Sequence, residues 1–295
     1  MEYVLRVSDL RIGIRNKKRI DYPVKNVNFE IGKGETFALV GESGSGKSMT
    51  ALSIMGLLQS WNSYLDTEIT GNVEFAGKNG RHYNLTSMKD KEYDKIRGND
   101  LSIIFQEPLT ALNPVVSVGK QIVEVILAHE KMSYEKAAAR AVELLNQVEI
   151  PDAANRFDSF PHQFSGGQLQ RIMIAMAIAC NPTCLIADEP TTALDVTIQK
   201  QILSLLKKLQ KENNMSILII THDLAVVSEF ADKVAVMYDG TIMEYGMVDK
   251  IFKTPEHPYT KLLLSSIPTL DTVPGSRLLT KEDYVFQAMV QGGAA

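Results

Sequence analysis

Gly41-Glu42-Ser43-Gly44-Ser45-Gly46-Lys47-Ser48 is the stretch from which the fold of this chain is read. It fits the pattern G-x-x-x-x-G-K-[ST] in full, and its surroundings are the ones that pattern needs. Thr36-Phe37-Ala38-Leu39-Val40 before it reads as a short buried strand. Ala51, Leu52, Ile54, Met55 and Leu57 behind it fall on a helical period. Glycines at these positions let backbone N–H groups curl around phosphate oxygens, and the helix N-terminus adds its positive end. Gly41, Ser43, Gly44, Ser45, Gly46, Lys47 and Ser48 are therefore expected to contact a nucleotide, with Thr50 a further candidate. Lys47 would reach the β- and γ-phosphates, and the Ser48 hydroxyl would ligate Mg²⁺.

Downstream, Cys184-Leu185-Ile186-Ala187 is a second apolar strand, ending in Asp188 and Glu189. In open α/β sheets the chemistry gathers at the carboxyl ends of strands. Taken alone the pair could be an ordinary acidic loop. Behind a phosphate loop, Asp188 is the candidate Mg²⁺ ligand and Glu189 the candidate general base for an attacking water. About twenty residues before Asp188 lies Phe164-Ser165-Gly166-Gly167-Gln168. Ser165 and Gln168 fit S-x-x-Q, a helix cap. A plain cap does not need two glycines, each of which weakens a first helical turn by about 1 kcal/mol. They make sense if an anion must approach the backbone closely.

Outward from these points the chain alternates strands and helices, which implies a mainly parallel sheet covered on both faces. Expected strands are Val24–Ile31, Ile69–Phe75, Ser102–Phe105, Thr183–Asp188 and Met215–Thr221. Lys233–Tyr238 and Thr241–Glu244 flank Asp239-Gly240 as a hairpin. Residues from about 95 to 165 read as an all-helical insertion, and the tail after Ile267 is weakly patterned. The 295 residues carry a net charge of −4, so no bulk basic excess favours nucleic acid. The two cysteines, Cys180 and Cys184, form no disulfide framework and lack the His or Cys that would complete a metal site. Core packing is the expected role. There is no signal pattern at Met1–Arg6 and no apolar run of the roughly 20 residues a membrane span requires. A membrane role would have to come through partners.

The combination resembles the nucleotide-binding subunit of an ATP-binding-cassette (ABC) transporter. Gly41–Ser48 resembles Walker A, Leu185–Asp188 Walker B, and Phe164–Gln168 the LSGGQ signature with Phe for the leading Leu. The resemblance implies an α/β fold. A P-loop, RecA-like cassette core with an antiparallel β subdomain would occupy 1–94 and 166–250, an inserted α-helical subdomain 95–165, and a C-terminal extension 251–295. It implies a head-to-tail dimer in which Ser165, Gly166, Gly167 and Gln168 contact the ATP held by the partner. Gln106 matches the Q-loop glutamine, which joins Mg²⁺ and water to the insertion. Ala193-Leu194-Asp195 matches the D-loop, where Asp195 crosses the interface or simply caps the next helix. His222 matches the switch histidine at the γ-phosphate. Leu10–Ile14, where an adenine-stacking aromatic is usual, has none; Tyr22 could substitute, or Ile14 could give apolar contact.

A narrower resemblance, over about residues 4 to 268, is to the oligopeptide/dipeptide/nickel importer subfamily, D-type. Gln106–Pro114, Phe160–Phe164, Ala187–Thr197 and His257–Leu263 carry it. It implies ATP and Mg²⁺ as ligands, a second ATPase as dimer partner (a related F-type chain, with an identical chain the alternative), two transmembrane permease subunits, and an extracytoplasmic solute-binding protein. The chain would lie peripherally on the cytoplasmic face of the cell membrane. Peptides are the expected cargo, with nickel or another metal chelate the alternative. Some members carry an iron–sulfur centre in the extension; with no cysteine after Cys184 that cofactor is not expected. A soluble cassette ATPase of DNA repair or translation is the competing class. Such proteins usually carry long coiled coils, zinc inserts or two cassettes, and none is visible here.

Overall fold

Five apolar-to-neutral residues in a row, Thr36–Val40, can all be buried only where both faces of a strand are covered. In a computed structural model of the chain, which describes residues 3–16, 19–58, 66–192 and 194–265, this strand is fully enclosed. Phe37 and Leu39 point into one apolar core, Ala38 and Val40 into the other, as the period of two requires.

The strands are β1 (Tyr3–Asn16), β2 (Arg19–Gly32), β3 (Thr36–Val40), β4 (Asp66–Ala76), β5 (His82–Asn84), β6 (Leu101–Ile104), β7 (Cys184–Asp188), β8 (Ser216–Thr221), β9 (Lys233–Tyr238) and β10 (Thr241–Met247). They lie in the order β5-β4-β1-β2-β10-β9-β3-β8-β7-β6. β9, β3, β8, β7 and β6 run parallel. β1, β2, β4 and β5 form an antiparallel layer. The two halves are joined by a single parallel pairing, Thr241 with Asn26. The sheet is thus half parallel, and the hairpin at Asp239-Gly240 is where it changes sense.

β1 carries no clean alternation in sequence, because register shifts interrupt its pairing with β2 and, between Ser8 and Arg11, with β4. β2 starts at Arg19, five residues before the apolar run begins, because ladder hydrogen bonds continue through exposed polar residues.

The longer helices are α1 (Lys47–Ile54), α2 (Val118–His129), α3 (Tyr134–Gln147), α4 (Gly166–Ile178), α5 (Val196–Asn213), α6 (Leu224–Phe230), α7 (Val248–Lys253) and α8 (Pro258–Ser265). α1 and the antiparallel layer cover one side of the parallel strands; α2 to α6 cover the other. α4 is buried over most of its circumference, as its apolar composition requires.

The expected start of the insertion at residue 95 needs correction. Leu101–Ile104 pairs in parallel with Cys184–Ala187, so β6 belongs to the core sheet, and the helical insertion begins only after Gln106. Three apolar residues and a buried serine beside a buried neighbour strand outweigh the helical pattern that follows them. Gln121 then pins the segment leading into the insertion. Its amide accepts from Asn113 N–H and donates to the carbonyls of Asn113 and Val116. The tail from Ile267 lies outside the described residues. No helix among the described residues is long and apolar enough to cross a membrane.

Candidate active site

Parallel pairing aligns the carboxyl ends of four neighbouring strands. Val40 is level with Thr221, Asp188 with Ile220, and Ile104 with Ala187. The residues that follow these ends therefore converge on one edge: the phosphate loop after β3, His222 after β8, Glu189 after β7 and Gln106 after β6. Together with Pro23, Met49 and Thr192 they line a cleft of about 730 Å³.

The loop is shaped by its backbone. Gly44 and Gly46 have φ of +81° and +104°, a region closed to most side chains. A Cβ on Gly46 would also collide with the Pro23 carbonyl. Gly46 caps α1 with no side-chain hydrogen bond, and no acidic residue stands in the first turn, so the helix start is left to an anion. The Lys47 ammonium is buried and donates to the carbonyls of Gly41 (2.8 Å) and Glu42 (2.7 Å). Burial pulls it below its ordinary pKa, and the charges of Glu189, Asp188 and Glu42 pull it back. It lies beneath the loop as a positive charge ready for phosphate.

Ser48 Oγ donates to Asp188 Oδ1 at 3.1 Å. Burial raises the Asp188 pKa, the nearby Glu189 charge raises it further, and only the Ser48 bond and Lys47 act in the other direction. A buried carboxylate beside a second carboxylate calls for a cation. A hydroxyl, a carboxylate and the Gln106 amide oxygen are hard oxygen donors, the set that suits Mg²⁺. The donor chemistry therefore fits the ion.

Glu189 is held by both its backbone and its side chain. Its backbone is left-handed at φ +47°, and its N–H donates to Ile220 O at 2.8 Å. Its Oε2 accepts from Gln106 Nε2 (3.1 Å) and Thr192 Oγ1 (2.8 Å). Its Oε1 lies 3.1 Å from His222 Nδ1. Glu189, Gln106 and His222 are thus brought together. Thr192 was missed by sequence reasoning, although a hydroxyl three residues after Glu189, across Pro190, is a legible turn geometry.

Gly41, Ser45, Thr50, Tyr22 and Asp188 are not among the residues that line the cleft. Thr50 is fully buried, and its hydroxyl donates to Gly46 O in its own helix. The Tyr22 ring lies along Gly13 with the Arg11 guanidinium 3.8 Å above its centre, so one of its faces is taken. Asp195 accepts from the N–H groups of Thr197 and Ile198 and caps α5. Ala193 lies outside the described residues.

Ser165 and Gln168 form the expected reciprocal cap, with bonds of 3.0 and 3.3 Å. Gly167 is explained within the chain, since a Cβ there would sit 2.8 Å from Ile198 Cγ2. Gly166 is exposed, and a Cβ would meet nothing nearer than Leu194 at 3.9 Å. Ser165 to Gln168 do not line this cleft. Phe164 is buried beneath Arg156.

A phosphate loop at the end of a central parallel strand, faced by paired carboxylates, a glutamine and a histidine, defines a nucleotide-hydrolysing cassette. The family model of the ABC transporter matches residues 24–192, and that of the oligopeptide/dipeptide transporter C-terminal region matches 243–288. Oligopeptide transport ATP-binding protein OppD of Bacillus subtilis is 52% identical over 91% of this chain and 73% of its own. Dipeptide transport ATP-binding protein DppD of Lactococcus lactis subsp. cremoris is 50% identical over 92% and 75%. Among solved structures, the dimeric post-hydrolysis state of the ATP-binding cassette MJ0796 bound to ADP and Pi superposes with a TM-score of 0.71. It is 30% identical and covers 83% of this chain and 98% of that one. The chain belongs to the ABC transporter family, as an ATP-binding subunit that hydrolyses ATP.

Proposed function

We propose that this chain is the ATP-hydrolysing subunit of a peptide importer. The observation that carries the chemistry is the ring of groups around Glu189, set beside the buried Lys47 and the Ser48–Asp188 pair. Ser48, Asp188 and Gln106 would hold Mg²⁺, which supplies positive charge to the phosphates. Lys47 and the loop N–H groups bind the β- and γ-phosphates. Glu189 accepts a proton from the water whose oxygen attacks the γ-phosphorus, while the bridging P–O bond breaks and ADP departs. His222, which lines the same cleft, would hydrogen-bond the γ-phosphate.

The peptide cargo rests on the relatives, which are oligopeptide and dipeptide transport ATP-binding proteins, and on the matched C-terminal region. The exposed signature supports head-to-tail pairing, in which Ser165, Gly166 and Gln168 contact ATP on a second cassette, here read as a related F-type chain. An apolar groove beside Gln106, lined by Met55, Phe105, Leu112, Met173 and Met176, supports docking of a helix from one of the two permease subunits. The complex would include an extracytoplasmic solute-binding protein, with this chain on the cytoplasmic face of the membrane.

Glu189→Gln tests the assignment. It keeps shape and hydrogen bonding but cannot take the proton. ATP binding should persist while phosphate release falls by about two or more orders of magnitude. Turnover equal to wild type would remove Glu189 from the role of base.

A further inference from the structure

We infer that Thr192 is a positioning residue of the hydrolytic step: its hydroxyl and the Gln106 amide occupy Oε2 of Glu189, which leaves Oε1 to take the proton from water. This assignment rests on the ATPase reading above.

A carboxylate oxygen offers two lone-pair sites. Both sites of Oε2 are engaged, by Thr192 Oγ1 at 2.8 Å and Gln106 Nε2 at 3.1 Å. Among the described residues Oε1 faces only His222, whose side chain is 62% exposed against 16% for Glu189. One site on Oε1 is therefore open towards the cleft. The three donors also differ in what carries them. Gln106 is exposed on the segment that leads into the helical insertion, and His222 is on the exposed loop after β8. Thr192 stands in the same tight turn as the base itself, with Thr192 N–H on Glu189 O at 3.2 Å and Pro190 between them. Its grip does not depend on where the insertion stands. If Gln106 withdraws, the carboxylate keeps its orientation through Thr192 alone. A base oxygen misplaced by about an ångström loses much of its rate, so holding it matters.

The step balances simply. The water oxygen bonds to the γ-phosphorus, its proton passes to Glu189 Oε1, and the bridging P–O electron pair leaves with ADP. Thr192 neither gains nor loses a proton.

The test uses the full chain in its assembled transporter, with Thr192→Val and Thr192→Ser. ATP affinity is measured with a fluorescent ATP analogue and turnover by phosphate release. Val keeps the branched shape and removes the donor; kcat should fall about tenfold with KM and nucleotide affinity unchanged. Ser restores the hydroxyl and should return kcat to within about twofold of wild type. Val at wild-type turnover would overturn the assignment. So would Ser as impaired as Val, or Val losing affinity together with turnover, because each points to loop shape and not to the hydroxyl. A wild-type complex without any ATP turnover would instead remove the ATPase reading, and this assignment with it.

Discussion

Glu244 on β10 holds α8, and its replacement should release that helix alone. Its two carboxylate oxygens accept from the N–H groups of Glu256 (2.8 Å) and His257 (3.0 Å), just ahead of α8. Behind them Tyr259 is fully buried, with its ring 4.5 Å from that of Tyr238 on β9. Glu244→Gln leaves one acceptor oxygen and turns an NH₂ towards the other N–H. One charge-assisted bond is worth about 1.5–3 kcal/mol. Each 1.36 kcal/mol is a factor of ten, so local opening of α8 should rise about tenfold to a hundredfold. Hydrogen exchange at residues 258–265 reads this directly, with β8 and β9 amides as unchanged internal controls. Burial opposes ionisation of Glu244, but the bonds it accepts and the His257 charge prevail and hold its pKa below the ordinary value. A folded value below the unfolded one means stability that is present above the unfolded pKa and is lost as pH falls through the folded one. The wild-type helix should therefore loosen only in acid, and the Gln variant should show no such acid limb. Equal exchange in both proteins at neutral pH would refute the argument.

Gly166→Ala separates stability from function. The new methyl group meets only Leu194, at 3.9 Å, and a glycine leaves the helix, so the chain should gain up to about 1 kcal/mol in thermal unfolding. If the partner's phosphate approaches this backbone, turnover of the assembled transporter should nonetheless fall tenfold or more; unchanged turnover would remove Gly166 from the shared site. Cys184 is fully buried, and burial pushes its thiol up to about 12, with Cys180 raised for the same reason. Neither should react with iodoacetamide at pH 8 until denaturant is added, and native labelling of Cys184 at the denatured rate would contradict its place in the core.

The chemistry was legible because each chemical residue ends an apolar run. Val40 precedes the phosphate loop, Ala187 precedes Asp188, Phe105 precedes Gln106 and Thr221 precedes His222. Strand burial marks the run, and parallel register brings the ends together. What was not legible depends on contacts that leave no local period. The β1 ladder is broken by register shifts. The grip of Thr192 on Glu189 needs a turn conformation. Glu244 meets Glu256 and His257 only after two helices and a strand have been placed. Tyr22 was a reasonable candidate for adenine by position, yet Arg11 and Gly13 flank it because residues on alternate positions of neighbouring strands share a face. The insertion boundary was misplaced because the expected strand at Ser102–Phe105 was put inside the insertion, and only its pairing with β7 assigns it to the core sheet.

The strand order has a consequence for synthesis. β3, the strand that presents the phosphate loop, hydrogen-bonds only to β8 and β9. Val40 leaves the ribosome early, whereas those neighbours end at Thr221 and Tyr238. At about 5–20 residues per second the interval is roughly 10–40 s. For most of that time a nascent chain holds the Walker A residues and has no partner for either edge of the strand that presents them. The nucleotide site therefore closes late, and until then a strand destined for burial on both faces depends on whatever shields its two edges.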